Sequence, residues 1–207
     1  MSSRRRVGVL ASGSGTNLQA ILDTVHGRDG IEVVAVASDK PDAYALERAR
    51  AAGVPAAVFP IAPSADDRTA RDQRIAAWLH ERGAGLVVLA GYMQLLAPEF
   101  LRKFPDAVIN VHPALLPAFP GLHAQRQALE HGVKVSGATV HLVDDGLDSG
   151  PILLQEAVPV REDDDAERLA ARILEVEHRL YPRALRLVAE GRYCLEGRRA
   201  RILEEQA

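Results

Sequence analysis

Asn110 and His112 stand two residues apart in the apolar run Ala107-Val-Ile-Asn-Val-His112, which Pro113 closes. On a strand, that spacing points both side chains to the same face. Burying either group without a partner costs about 1–3 kcal/mol, so two polar groups converging at a strand end suit a site. An amide N–H and a protonated imidazole can both donate to a carbonyl oxygen as it gains negative charge, which is the chemistry of acyl-type transfer. A capping asparagine and a packed histidine explain the same pair equally well. Asp148, in the acidic turn Asp144-Asp-Gly-Leu-Asp-Ser-Gly-Pro151, is the third candidate. Set against His112, a buried carboxylate there favours imidazolium and fixes its tautomer. Spacing alone does not bring Asp148 to His112, and a solvated loop is the plain alternative.

A second constellation is the loop Ser12-Gly-Ser-Gly-Thr-Asn17, between a short apolar strand and a helical pattern. Glycines let the backbone approach an anion, and the helix N-terminus adds free N–H groups and positive potential. It is not a Walker A motif, because no Gly-Lys-Ser/Thr follows. Nor is it a dinucleotide fingerprint, since Leu18 stands where a third glycine belongs. The alternative is a tight turn with Thr16 or Asn17 capping the helix.

The elements that must hold these residues alternate. Apolar runs at Val7–Leu10, Ile31–Ser38, Ala56–Phe59, Gly85–Ala90 and Ala107–Val111 read as strands; Asn17–His26, Tyr44–Ala52 and Asp66–Glu81 read as helices. Nearly continuous apolar strands between helices predict an α/β fold, a mostly parallel Rossmann-like sheet covered on both faces. Gly137–Val143 and Pro151–Val158 are separated by one polar loop and predict an antiparallel extension of that sheet. Asp165–Glu190 reads as a long helix that Pro182 should kink or split. Tyr193-Cys-Leu and Arg201-Ile-Leu read as a hairpin around Gly197, in a tail, Tyr193–Ala207, to which no role is assigned. One domain over 1–207 accounts for the chain, with a phosphate-binding half over about 1–100 and a catalytic half over about 101–190.

Composition narrows the setting. The 207 residues are 47% hydrophobic and 26% charged, ordinary for a globular protein. The net charge of -3 gives no global basic surface for nucleic acid, and the lone Cys194 cannot form an internal disulfide. The basic start Met1–Arg6 is followed by too short an apolar run for a signal peptide, and no stretch approaches the roughly 18 residues of a membrane span. A cytoplasmic, soluble enzyme without a membrane partner is expected. No histidine and acid cluster has metal-ligand spacing. His26, His80, His131 and His178 read as surface or packing residues, and His141, alternating with Thr139, as either a site neighbour or a packed histidine.

Taken together, Ser12-Gly-Ser-Gly-Thr-Asn17, Ala90-Gly-Tyr-Met93, Asn110-Val-His-Pro-Ala-Leu-Leu-Pro117, Phe119-Pro-Gly-Leu-His123 and Asp148-Ser-Gly-Pro151 resemble the phosphoribosylglycinamide formyltransferase family, from Val7 to about Arg192. The resemblance implies transfer of the formyl group of 10-formyltetrahydrofolate to glycinamide ribonucleotide, with no metal. By motif, Asn110, His112 and Asp148 match the catalytic trio, with Asp148 raising the pKa of His112. Gly15, Thr16 and Asn17 match the substrate's phosphate loop, and Glu177 the acid that contacts its glycinamide ribose portion. Arg68, Met93, Gln94, Leu95, Leu96, Asn110 and the loop Asp144, Asp145, Gly146, Leu147 and Asp148 match folate-binding elements. Gln94 stands where some relatives have arginine, and Gln125 where some have a second histidine after His123. The resemblance leaves monomer and homodimer both open. A methionyl-tRNA formyltransferase would be expected to add a C-terminal tRNA-binding domain, and a formyltetrahydrofolate deformylase an N-terminal regulatory domain. A nucleotide-binding module without chemistry would explain the glycine loop but not Asn110, His112 and Asp148.

Overall fold

The computed structural model describes residues 5–61 and 64–203; residues 1–4 of the basic start and 204–207 of the tail lie outside them. Five strands run parallel: β1 (Arg6–Leu10), β2 (Glu32–Ser38), β3 (Ala56–Val58), β4 (Leu86–Leu89) and β5 (Val108–His112). Between them lie the helices α1 (Thr16–Thr24), α2 (Tyr44–Ala51), α3 (Ala65–Glu81) and the short α4 (Pro98–Lys103). After a further short helix, α5 (Ala124–Glu130), β6 (Val135–Leu142) pairs antiparallel with β5, and β7 (Ile152–Pro159) antiparallel with β6. The sheet order is β3-β2-β1-β4-β5-β6-β7. The fold is the α/β sheet with an antiparallel extension that the alternating pattern predicts. α4 and α5 have no signature in the sequence, because six or seven residues carry too few turns for a helical period to register.

Val7, Val9, Leu86, Val87, Val88, Val108 and Ile109 are at most 3% exposed. Their strands are therefore covered on both faces, as parallel sheets require. The strand order reverses between β1 and β4, and the crevice beyond their carboxyl ends is where such sheets take ligands. Two bonds stitch the loops there: Ser12 N–H donates to the Gly91 carbonyl (3.1 Å), and Met93 N–H to Ser12 Oγ (2.9 Å).

Pro182 neither ends nor divides its helix. α6 (Ala166–Ala189) runs through it as one element of 24 residues. Proline removes one backbone N–H donor, while a buried stripe holds the helix to the sheet. Leu169, Ile173, Val176, Leu180, Leu185 and Val188 form it. Tyr181, fully buried, places its hydroxyl 3.0 Å from the Leu89 carbonyl and 2.9 Å from that of Ile109, pinning α6 beneath β4 and β5. Beyond α6, β8 (Tyr193–Glu196) and β9 (Arg199–Ile202) form the expected hairpin, with Gly197 at φ 61 in the turn. No helix among the described residues is long and apolar enough to cross a membrane.

Candidate active site

In the β5–β6 ladder Asn110 pairs with His141 and His112 with Thr139. Cross-strand partners share a face, so β6 brings a second histidine to the pair. His141 is 2% exposed. Its Nδ1 lies 2.8 Å from the Leu142 carbonyl, which can only accept, so Nδ1 carries the proton. Nε2 lies 3.3 Å from the Asn110 amide and 3.7 Å from Asp148 Oδ1. His141 is both packed and a neighbour of the site: it orients Asn110. Thr139 anchors the next loop, donating to the Ala114 carbonyl (2.6 Å) and accepting from Leu116 N–H (3.0 Å).

His112 is buried, with Nε2 2.8 Å from the Phe119 carbonyl and Nδ1 3.3 Å from Asp148 Oδ2. Both partners are acceptors, so only the imidazolium donates to both. Burial opposes that charge. It outweighs the Asp148 carboxylate and the Phe119 carbonyl, and with His141 nearby it holds His112 below its ordinary pKa. The carboxylate thus pulls in the expected upward direction, yet the net shift is downward because desolvation is the larger effect. In the neutral ring the Phe119 carbonyl keeps the proton on Nε2.

Asp148 reaches His112 from the loop between β6 and β7. Its backbone is left-handed (φ 49), and its Oδ2 accepts from Gly121 N–H at 2.8 Å. Asp144 braces that loop: its Oδ1 accepts from Gly146 N–H (3.1 Å) and Ser149 Oγ (2.6 Å). Gly150 permits the tight return, since a Cβ there would lie 1.8 Å from the Leu142 carbonyl oxygen. Burial raises the Asp148 pKa, but the His141 ring, the Gly121 N–H and the charge of His112 together outweigh it, so the carboxyl sits below its usual value.

At the carboxyl end of β1, Gly15 is the N-cap of α1 at φ 69, and a Cβ there would meet Ala45 Cα at 2.7 Å. No side chain caps the helix. The reading of Thr16 or Asn17 as the cap is therefore corrected: Asn17 turns away and donates from Nδ2 to Glu177 Oε2 at 2.7 Å, leaving the first-turn N–H groups without a side-chain acceptor. Glu177, 7% exposed on α6, is pushed up to about 7 by burial, against the opposing Asn17 hydrogen bond. Arg48 donates from Nε to the Ser14 carbonyl (2.8 Å). Its charge, after burial, helps hold His178 below its ordinary pKa. His178 is half-buried on α6, within its expectation as a surface or packing residue.

The chain matches the Formyl transferase family over residues 5–185. It is 57% identical to the crystal structure of glycinamide ribonucleotide transformylase 1 from Symbiobacterium toebii, with a TM-score of 0.93 over 99% of this chain and 96% of that one. It is 46% identical over 199 residues to the phosphoribosylglycinamide formyltransferase of Mycobacterium tuberculosis, covering 96% of this chain and 92% of that protein. The chain belongs to the phosphoribosylglycinamide formyltransferase family. The trifunctional purine biosynthetic protein adenosine-3 of Drosophila melanogaster is 45% identical over 191 residues, and the chain spans 14% of its length.

Of the residues that the resemblance assigns to folate, Arg68 lies on α3, Met93 to Leu96 follow β4, and Asp144 to Asp148 lie in the loop between β6 and β7. Met93 and Leu95 are 58% and 60% exposed, while Leu96 packs against the core. That segment is held by an ion pair the sequence did not reveal. Arg71 and Asp72, 1% and 0% exposed, pair at 2.8 Å on α3; Asp72 Oδ2 accepts from Ala97 N–H (2.8 Å), and Arg71 Nη1 lies 3.5 Å from Gln94 Oε1. Adjacent charges on a helix ordinarily read as a solvated face, so only their burial marks them. Arg68 is half-buried on the same helix. Asp145, Gly146 and Leu147 are exposed. His123, at the N-terminus of α5, is exposed too and makes none of the hydrogen bonds that join the trio. Among the described residues no group of three or more His, Cys, Asp or Glu side chains is arranged to hold a metal ion.

Proposed function

We propose that the protein transfers the formyl group of 10-formyltetrahydrofolate to the amine of glycinamide ribonucleotide, in purine biosynthesis. The observation that carries this reading is the convergence of Asn110, His112 and Asp148 from β5 and the β6–β7 loop, with His112 3.3 Å from Asp148 and Asn110 on the His141 ring, itself 3.7 Å from Asp148, in a chain of this family. The amine attacks the formyl carbon, a C–N bond forms and the carbonyl π electrons pass to oxygen; they return as the bond from that carbon to the folate nitrogen breaks. Asn110, its amide set against the His141 ring, donates an N–H to that oxyanion. His112, as the imidazolium that the Asp148 carboxylate favours, supplies another donor from Nε2 once the Phe119 carbonyl yields it. Losing one such donor typically costs about 10²–10³ in rate. Asp148, kept ionised by its neighbours, orients His112 and relays the amine's proton, through water, to the departing folate nitrogen. No covalent enzyme intermediate is needed, and Cys194 takes no part.

Gly15, Thr16 and Asn17 bind the acceptor's phosphate through the uncapped start of α1, and Glu177 holds its glycinamide ribose portion. Arg68, Met93, Gln94, Leu95, Leu96 and Asp144 to Asp148 form the folate cleft, Asp144 through the loop shape it braces. In this reading residues 1–100 supply the phosphate site and 101–190 the chemistry, within one domain working in the cytoplasm. The test is to incubate the protein with 10-formyltetrahydrofolate, with and without glycinamide ribonucleotide, and follow tetrahydrofolate release. Release that needs the ribonucleotide is the expected result, abolished in His112→Ala and Asp148→Ala. Release without it indicates a deformylase, and none under either condition a binding module; turnover surviving in both variants would remove the trio from the chemistry.

A further inference from the structure

The β8–β9 hairpin lies beyond residue 185, where the family match ends, and the chemistry above gives it no part. It is nonetheless built into the molecule at both ends. At its base the Tyr193 hydroxyl donates to the Asp106 carbonyl (2.8 Å), and Leu203 N–H to the Arg192 carbonyl (3.0 Å). At its tip, beside Gly197, Arg198 Nη2 donates to the Ser149 carbonyl at 2.6 Å. Ser149 is the residue after Asp148.

Between the hairpin and the Asp148 loop is a cavity of about 530 Å³, lined by Leu116, Pro117, Leu147, Ile152, Arg199 and Ala200 among others. On this outer side the loop is not backed by close packing; Arg198 spans the gap. On its inner side the loop has Asp144 bonded to Ser149 Oγ and Gly150 pressed against the Leu142 carbonyl. Asp148 itself is held at φ 49, which an L side chain adopts only where its surroundings enforce it. A bond from a guanidinium to the Ser149 carbonyl is the stronger, charge-assisted kind, and it holds the Ser149–Gly150 peptide, one link beyond the residue whose carboxylate meets His112.

We propose that Arg198 is a positioning residue, which holds the Asp148 loop from the hairpin side so that the carboxylate stays on His112. This rests on the reading of Asp148 given above. The groups facing His112 are Asp148 from the loop, His141 from β6 and the Phe119 carbonyl from the β5–α5 segment. Asp148 is the one among them whose charge favours the imidazolium. Losing its alignment lets His112 give up its proton at lower pH.

The experiment compares Arg198→Ala, Arg198→Lys, Arg199→Ala and Asp148→Asn in steady-state turnover across pH, with thermal melting of each. For Arg198→Ala, kcat should fall by about ten- to a hundredfold, since an ångström of misplacement can cost on the order of 10². KM for both substrates should stay within about twofold, as expected when transition-state interactions alone are lost. The alkaline limb of its kcat profile should move to lower pH. Arg198→Lys, whose ammonium can also donate to Ser149, should recover part of the rate and of the profile, and Arg199→Ala should match the parent. Wild-type kcat in Arg198→Ala beside an inactive Asp148→Asn overturns the hairpin's role and leaves that of Asp148 standing. A fall in kcat with an unmoved profile, or with no recovery in the lysine variant, overturns it as well. An active Asp148→Asn removes the reading of Asp148 itself, and the proposal with it.

Discussion

Replacing Glu177 by glutamine should make the protein more stable at neutral and alkaline pH while weakening its hold on the acceptor substrate. Glu177 is 7% exposed, and burial lifts its carboxyl from 4.5 to about 7. A folded-state value above the unfolded one means that the native protein binds this proton more tightly. The group's contribution is therefore full below pH 4.5 and declines as pH rises towards 7. At about 1.4 kcal/mol per pH unit, the ionised carboxylate costs about 3 kcal/mol once the pH has passed 7. Glutamine keeps an oxygen to accept the Asn17 N–H and carries no charge. The two proteins should thus unfold alike near pH 4.5 and differ by about 3 kcal/mol at pH 8, or roughly 6–12 °C in Tm for a chain of this size. Urea unfolding at several pH values, with the slope unchanged between proteins, reads this difference directly. A gap that is the same at pH 4.5 and pH 8 would refute the reasoning, because it could not come from the carboxyl's proton. The same substitution should raise KM for glycinamide ribonucleotide about tenfold, the loss of one charge-assisted hydrogen bond. A carboxyl so raised, in a fold that the amide would suit better, fits the binding role proposed for Glu177.

Asp148→Asn removes the carboxylate that opposes desolvation at His112, so the ring should titrate at lower pH than in the parent; NMR titration of the imidazole C–H signals measures it, and an unchanged or raised value would contradict the assignment. Tyr181→Phe deletes a buried hydroxyl shared between the Leu89 and Ile109 carbonyls, and should cost about 1–2 kcal/mol in denaturant unfolding. A loss indistinguishable from zero would mean that α6 is held to the sheet by its apolar face alone.

Much of the architecture was legible because it rests on short-range pattern. Apolar runs separated by glycine and helical periods give the parallel strands from Val7 to Val111, and the polar interval at residues 144–150 gives the antiparallel turn. The two-residue step from Asn110 to His112 is likewise a local fact, and so is a glycine at position 15, where φ is 69. What the chain alone left undecided lies where partners far apart in sequence meet. Asp148 joins His112, Glu177 joins Asn17, and His141 joins Asn110 only through register and packing. Nothing in the sequence singles out Arg71 and Asp72, which only their burial marks, and Pro182 reads as a helix breaker until the apolar face around it outweighs one missing hydrogen bond. The direction of the His112 shift is of the same kind. A nearby carboxylate is written in the motif, but desolvation depends on everything that excludes water from the ring, and that sum exists only in the folded molecule.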